Sequence, residues 1–312
     1  MAAVLAALLP VFLLIVAGFL LRLLLIKDEA HWIGVERLVY YVMFPALLVE
    51  TLARADLSRV PVAGVGGALF GAVIVMSVLC LALRPLLATR FKLDGPAFSS
   101  MFQGATRWQT FVALAVAGNL YGDLGLALAS VALVAMIPVL NVINVWVLAH
   151  YASPHRPNWR GVLLAIAQNP LIWSCVIGLA INLVALPVPQ PIHAFLDALG
   201  RSSLALGLLM VGAGLKPEGL LRPSPGTVVA TVLKLTVMPV FAVALGLAFG
   251  LAGTTLAVVA CCASVPAASN AYVLARQMGG DAPLMAQILT VETVLAVATM
   301  PVAIALTKAV GA

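Results

Sequence analysis

Ten long apolar stretches follow one another along the chain, separated by short polar turns: Val4–Ile26, Gly34–Ala53, Val62–Leu83, Ala97–Gly118, Leu124–Ala149, Gly161–Ala185, Ile192–Leu215, Gly226–Gly250, Thr254–Met278 and Leu284–Ala309. A helix needs about 20 apolar residues to cross roughly 30 Å of hydrocarbon, so each stretch predicts one membrane span. The fourth and seventh are the most polar, carrying Gln103, Arg107 and Gln109 in one and Asp197 and Arg201 in the other. The longest polar connection, Tyr151–Arg160, divides the chain into five spans over residues 1–150, a linker at 151–160, and five spans over 161–312. The fourth and ninth spans are interrupted near their middles, around Gly104–Thr110 and around Pro266–Asn270, by residues that weaken a helix. Half-helices that meet at mid-membrane leave backbone N–H and C=O groups free for a polar solute. The two breaks are therefore where a transport site is expected.

Composition leads to the same class. With 63% hydrophobic and 9% charged residues and a mean hydropathy of +1.15, the chain has too little polar surface to cover a soluble globule of this length. Its four cysteines, Cys80, Cys175, Cys261 and Cys262, all fall in apolar segments and match neither a zinc site nor a disulfide framework. The first apolar run has no basic region before it and reaches about twenty residues, so it is expected as a true span rather than a cleaved signal peptide. The formal charge of +6 does not point to nucleic acid, because the basic residues are scattered singly over short loops.

Those loop charges orient the chain. With the N-terminus outside, Arg22, Lys27, Arg37, Arg84, Arg90, Lys92, Arg156, Arg160, Lys216, Arg222 and Arg276 fall on the cytoplasmic side and only Arg54, Arg59 and Lys308 on the outer side. This is the positive-inside bias, and it puts both termini outside and His155 in the cytoplasm. Five spans per half then make the second half an inverted copy of the first. Pro10 and Gly18 have the spacing of Pro170 and Gly178, and Gly122-Asp123 corresponds to Gly280-Asp281, which sets spans four and nine in equivalent places.

Several residues in the spans can carry chemistry. Pro266 removes a backbone hydrogen bond and presses on the turn before it, freeing carbonyls near Ala263; Ser264, Ser269 and Asn270 can bond exposed backbone or a solute, although a plain proline kink would need the same residues. Counting about 1.5 Å per residue from either face puts Pro266 and Arg107 near mid-membrane. A charge there costs about 2.5 to 3.5 kcal/mol and needs a partner or an aqueous cavity, so Arg107 either meets a solute or pairs with carbonyls or an acid on another helix. Asp197 and Arg201 share a helix face at i,i+4 and are expected as a local ion pair. Lys234 and Glu292 lie at similar depth and are expected to pair, with Glu292 as a proton carrier the alternative. Asn169-Pro170 forms a further polar kink, and Asn141 and Asn144 around Pro138 suit interhelical bonds. His31, His150, His155 and His193 lie in loops or at span ends and lack metal-site spacing. No HExxH, GxSxG, Walker or aspartate-rich transferase motif is present, so neither an enzyme, a metal nor a cofactor is expected.

The run Pro266-Ala267-Ala268-Ser269-Asn270-Ala271-Tyr272-Val273-Leu274-Ala275 followed by Gly280-Asp281, the Asn169-Pro170-Leu171-Ile172 stretch with Gly178 beyond it, and the five-plus-five layout resemble the auxin efflux carrier family over the whole chain. Bacterial members of that family include malate and malonate permeases. The resemblance implies the fold of the bile acid sodium symporters: broken helices four and nine crossing at mid-membrane, in a core of spans 3–5 and 8–10 that moves against a panel of spans 1, 2, 6 and 7. Two departures stand out. Where family members have a proline in the fourth span this chain has Leu114 and Ala115, and where they have an asparagine it has Gln109 or Thr110, so the first break would be opened less deeply or by Gly104. The hydrophilic insert of plant relatives is replaced by the short 151–160 linker, which excludes regulation through such an insert.

The expected protein is an all-α membrane protein of ten helices in two inverted repeats, a multi-pass permease of the cell (inner) membrane. It would move a small organic anion, a mono- or dicarboxylate, by elevator-type alternating access. Arg107 would attract the anion, Gln109, Thr110, Ser269 and Asn270 would orient it beside Pro266 and Asn169, and half-helix N-termini would add positive potential. A sodium-coupled symporter of a bile-acid-like or other organic anion is the alternative in the same class, and a channel or lipid-embedded enzyme the alternative outside it. Proton or sodium coupling through Lys234 and Glu292 and a homodimer in the lipid stay open.

Overall fold

A computed structural model of the chain describes residues 2–56, 61–152, 159–217, 220 and 222–310. Among the described residues there are helices and no strand. In chain order they are α1 Ala2–Leu24, α2 Glu29–Ala53, α3 Val62–Arg90, α4 Gly95–Thr106, α5 Thr110–Tyr151, α6 Trp159–Ala167, α7 Pro170–Leu183, α8 Gln190–Ala213, α9 Pro225–Ala248, α10 Gly253–Ser264, α11 Asn270–Met278 and α12 Ala282–Val310. Among the described residues seven helical stretches are long and apolar enough to cross a membrane, one of them the 57-residue run Gly95–Tyr151, while α7 and α10 are shorter apolar helices. Arg59, His155, Arg156 and residues 153–158 of the expected linker lie outside the described residues, as do Ala312 and the side chain of Lys308.

Short side chains start many of these helices. Asp28, Asp94 and Asp281 each accept a backbone N–H of the first turn at 2.9 Å, from Ala30, Ala97 and Leu284, and Ser224 accepts from Thr227 at 3.3 Å. Such caps satisfy N–H groups that have no partner within the helix. Of the eleven acidic residues in the chain, three serve in this way, which leaves few to balance charge in the interior. Two helices widen before a proline. α2 makes a π-turn at Val39–Met43 ahead of Pro45, and α9 makes one at Leu233–Val237 ahead of Pro239. Proline lacks an N–H and crowds the carbonyl four residues back; the residue before it bonds five back instead, Phe44 to Val39 and Met238 to Leu233, which makes room for the ring.

The helices pack in two groups. α1 lies along α8, where a Cβ on Gly18 would run into the Leu209 carbonyl and one on Gly212 into the Ile15 carbonyl, so only glycine permits the approach. The second half of α2 packs on α7 and α8, and Asn182 closes its end by donating to the carbonyls of Leu52, Ala53 and Ala55 at 2.8 to 3.0 Å. In the other group α3 packs on α5 and on the last part of α9, α10 packs on α5, α9 and α12, and α4 lies among α5, α9 and α12.

The fourth apolar segment breaks within the expected Gly104–Thr110 stretch, but Gly104 does not open it. Gly104 is helical and buried inside α4, and the interruption falls at residues 107–109. A Cβ at Gly104 would stand 2.6 Å from Ile288 Cγ2 and 3.1 Å from Ala230 Cβ; the glycine lets α4 sink between α9 and α12 rather than unwinding it. Further on, Gly122 divides α5 with φ 59 and ψ −144, a left-handed-side conformation that favours glycine. The sixth apolar segment breaks at Asn169, which caps α7 by accepting from Leu171 N–H at 2.9 Å, with Pro170 at the first helical position.

Candidate functional site

Two breaks in the helices meet and are tied to each other. α4 ends at Thr106, and Arg107 and Gln109 have extended backbones before α5 begins. α10 ends at Ser264, Val265 is extended, and α11 begins at Asn270. The Gln109 N–H donates to the Pro266 carbonyl at 3.0 Å, Gln109 Nε2 donates to Ser269 Oγ at 3.1 Å, and Arg107 Nη1 donates to Asn270 Oδ1 at 2.9 Å. Each break thus supplies the partners that the other lacks, as non-helical backbone within a membrane requires. Thr106 anchors the first break to α5 through Asn144 Oδ1 at 3.2 Å.

On one side of this junction lies a cavity of about 160 Å³ whose walls include Arg107, Gln109, Thr110, Ser269, Asn270 and Asn169. Three helix starts open on it: Thr110 of α5, Asn270 of α11, and Asn169, the cap of α7. The Arg107 guanidinium, only 5% exposed, adds a full charge, and its Nε has no hydrogen-bond partner. Helix N-termini carry roughly half a positive charge each and present free N–H groups, so these groups add positive potential to their part of the wall. Pro266 itself is not in the wall; its carbonyl serves the junction.

Glu36, which is exposed, and Tyr40 of α2 also line this cavity. Neither stands out in the sequence, because an acid near the start of an apolar stretch looks like a solvated helix end; their i,i+4 spacing is the available signal. On the other side of the junction is a second cavity of about 150 Å³, lined by Arg22, Glu29, Lys216 and Arg276 together with Gln109 and Ser269. Gln109 and Ser269 line both cavities, so their hydrogen bond is part of the partition.

Lys234 and Glu292 lie apart from these cavities. Both are fully buried and interact through their charges, but no hydrogen bond joins them: Lys234 Nζ has no hydrogen-bond partner. Glu292 Oε2 instead accepts the Ala267 N–H at 2.8 Å. The carboxylate binds a backbone N–H in the non-helical stretch beyond the end of α10, a demand that depth along the sequence does not reveal. Asp197 and Arg201 do pair, at 2.7 Å, on an exposed surface. His193, at a span end, has its Nδ1 2.7 Å from Oε2 of Glu50, which is buried and also meets Arg54 at 3.3 Å. Among the described residues no group of His, Cys, Asp and Glu could hold a metal ion.

Residues 159–304 match a family model described as membrane transport protein. An uncharacterized transporter of Methanothermobacter thermautotrophicus is 25% identical to this chain over 304 residues, covering 94% of the chain and 95% of the relative.

Proposed function

We propose that this multi-pass membrane transporter of the membrane transport protein family moves a small organic anion, a mono- or dicarboxylate, through the cavity beside the two breaks. The observation that carries the reading is the convergence of three helix N-termini and Arg107 on one cavity. A carboxylate entering it exchanges hydration for charge-assisted hydrogen bonds, to which a planar guanidinium offers two parallel donors. Gln109, Thr110, Ser269, Asn270 and Asn169 orient it with neutral donors and acceptors.

The same reading takes the chain as ten crossings in two inverted repeats. Gly95–Tyr151 crosses twice, turning at Gly122; α6 with α7 makes one crossing and α10 with α11 another. The broken helices cross at the Gln109–Pro266 bond. The separate packing of α1, α2, α7 and α8 supports a panel, against which α3, α4, α5 and α9 to α12 move as a core. In this elevator motion, sliding of the core against the panel exposes the cavity to alternate sides of the inner membrane, with both termini outside.

Thermal unfolding of the purified protein with a panel of carboxylates tests the proposal, because a ligand that binds only the folded state raises its melting temperature. Malonate and malate should stabilise it and their diamides should not. Saturable counterflow of the stabilising carboxylate in proteoliposomes separates a carrier from a channel. Equal effects of the acids and their amides would contradict an anion site.

A further inference from the structure

Three helices that pack on one another, α4, α9 and α12, bury four polar side chains whose end atoms find no full set of partners. Gln103 on α4 has neither amide atom hydrogen-bonded, Thr231 and Lys234 on α9 have free Oγ1 and Nζ atoms, and Glu292 on α12 has a free Oε1. Gln103, Lys234 and Glu292 are each 0% exposed. An isolated buried charge is costly enough that such groups give up or take up a proton instead. Here two groups of opposite charge lie within each other's field without touching. Lys234 also belongs to the π-turn before Pro239, a local widening of a kind frequent at functional sites.

Glu292 is further distinguished by what it holds. Its Oε2 accepts the N–H of Ala267, the residue after Pro266 in the second break, and the Pro266 carbonyl accepts the N–H of Gln109 in the first. One carboxylate oxygen is therefore linked to the junction through one backbone residue.

We propose that Glu292 is a proton-binding site whose occupancy sets how firmly the second break is held, with Lys234 as the charge that shares the proton balance. It rests on the transporter reading above and adds coupling to it. An ionised carboxylate binds the Ala267 N–H by a charge-assisted bond, roughly twice as strong as that to a neutral acid. A proton added at Oε1 forms one O–H bond, removes the negative charge and weakens the hold on Ala267. By linkage, any rearrangement of the break that gives up the Ala267 bond favours the protonated acid, and proton binding favours that rearrangement in return. The other titratable groups on elements packed around α12 are Cys261 and Cys262 on α10, Arg107 after α4, and Arg22 on α1, with Tyr272 and Arg276 on α11. Of all these groups Lys234 is the one that acts on the Glu292 carboxylate, and Cys262 acts on Lys234.

Amide hydrogen exchange of the Ala267 region in the full-length detergent-solubilised protein, with no solute added, tests the site over a pH series corrected for the intrinsic exchange rate. The wild-type protection should fall by roughly three- to ten-fold as Glu292 takes up its proton. Glu292→Gln should show the weakened protection at every pH, and Lys234→Met should move the pH at which the wild-type change occurs. Should the glutamine variant not fold, Lys234→Met/Glu292→Gln, which removes both charges together, should be pH-independent in its place. Wild-type protection that does not change with pH, or a pH dependence that survives removal of Glu292, would overturn the proposal. Because no carboxylate is present, this result is independent of whether the protein binds one; a positive result here with no stabilisation by any carboxylate would leave the proton site standing and remove the anion reading.

Discussion

The Gln109 N–H donates to the Pro266 carbonyl at 3.0 Å, joining residues 157 positions apart at the point where two helices are interrupted. This backbone bond depends on no side chain, whereas the Gln109–Ser269 bond beside it is made by side chains that also separate two cavities. Gln109→Ala should therefore keep the junction and lose the partition. A cost of about 1 kcal/mol is expected for one net hydrogen bond, measured as a small fall in apo melting temperature. A loss of folded protein would mean that the side chain, and not the backbone, holds the breaks together.

Gly104 provides a test of packing. A Cβ there meets Ile288 and Ala230 at 2.6 and 3.1 Å, and the β-branched Gly104→Val adds more atoms to the same closed space. Overpacking of this kind costs about 1 to 3 kcal/mol. Thermal unfolding should show the variant clearly destabilised, in contrast to Gly34→Ala, whose added Cβ would have no neighbour within 4 Å.

The fold and the site were legible in the sequence to different depths. Apolar runs announced the helices, and Pro266 and Arg107 announced the breaks, because a proline or a charge within such a run needs a local reason. Gly104 misled, since a glycine that lets two helices touch looks in sequence like one that opens a helix. Thr110, Asn169 and Asn270, expected around one solute, line one cavity, whereas the presence of Glu36 and Tyr40 in the same lining was not legible, because it depends on how separate segments dock. For the same reason the acceptor role of Glu292 was hidden: similar depth pointed to Lys234, but the free N–H of Ala267 was closer.

Two ion pairs should respond in opposite ways. Arg201 and Asp197 pair at 2.7 Å with side chains 70% and 43% exposed, and solvent-exposed pairs contribute about 0 to 1 kcal/mol. Arg201→Gln should therefore hardly change the melting temperature. Glu50 is buried, and His193 supplies its shorter contact, at 2.7 Å. His193→Ala leaves that carboxylate with Arg54 at 3.3 Å and should cost about 1 to 3 kcal/mol. Equal melting temperatures for the two variants would contradict the assignment of Glu50 as a buried anchor.

Orientation follows from the distribution of loop charges. Single cysteines at Asp56 and at Lys92 in a cysteine-free background should react differently with an impermeant reagent in intact cells. Position 56 should label and position 92 should not, because the proposed orientation, read from the positive-inside bias, would put Lys92 in the cytoplasm. The reverse pattern would invert the topology and reassign both cavities beside the breaks to the other face of the membrane.

The central claim is that Arg107 hosts the anion rather than merely supporting Asn270, and apo melting temperature and malonate affinity measured together on wild type, Arg107→Lys and Arg107→Ala test it most directly. A lysine keeps the charge and loses the planar fork, so affinity should fall for Arg107→Lys and by roughly 10- to 100-fold or more for Arg107→Ala. The apo melting temperatures should stay close, since the one hydrogen bond lost, to Asn270 Oδ1 at 2.9 Å, ends on a neutral amide at a cavity wall. A folded Arg107→Ala protein that binds malonate with wild-type affinity would contradict the account.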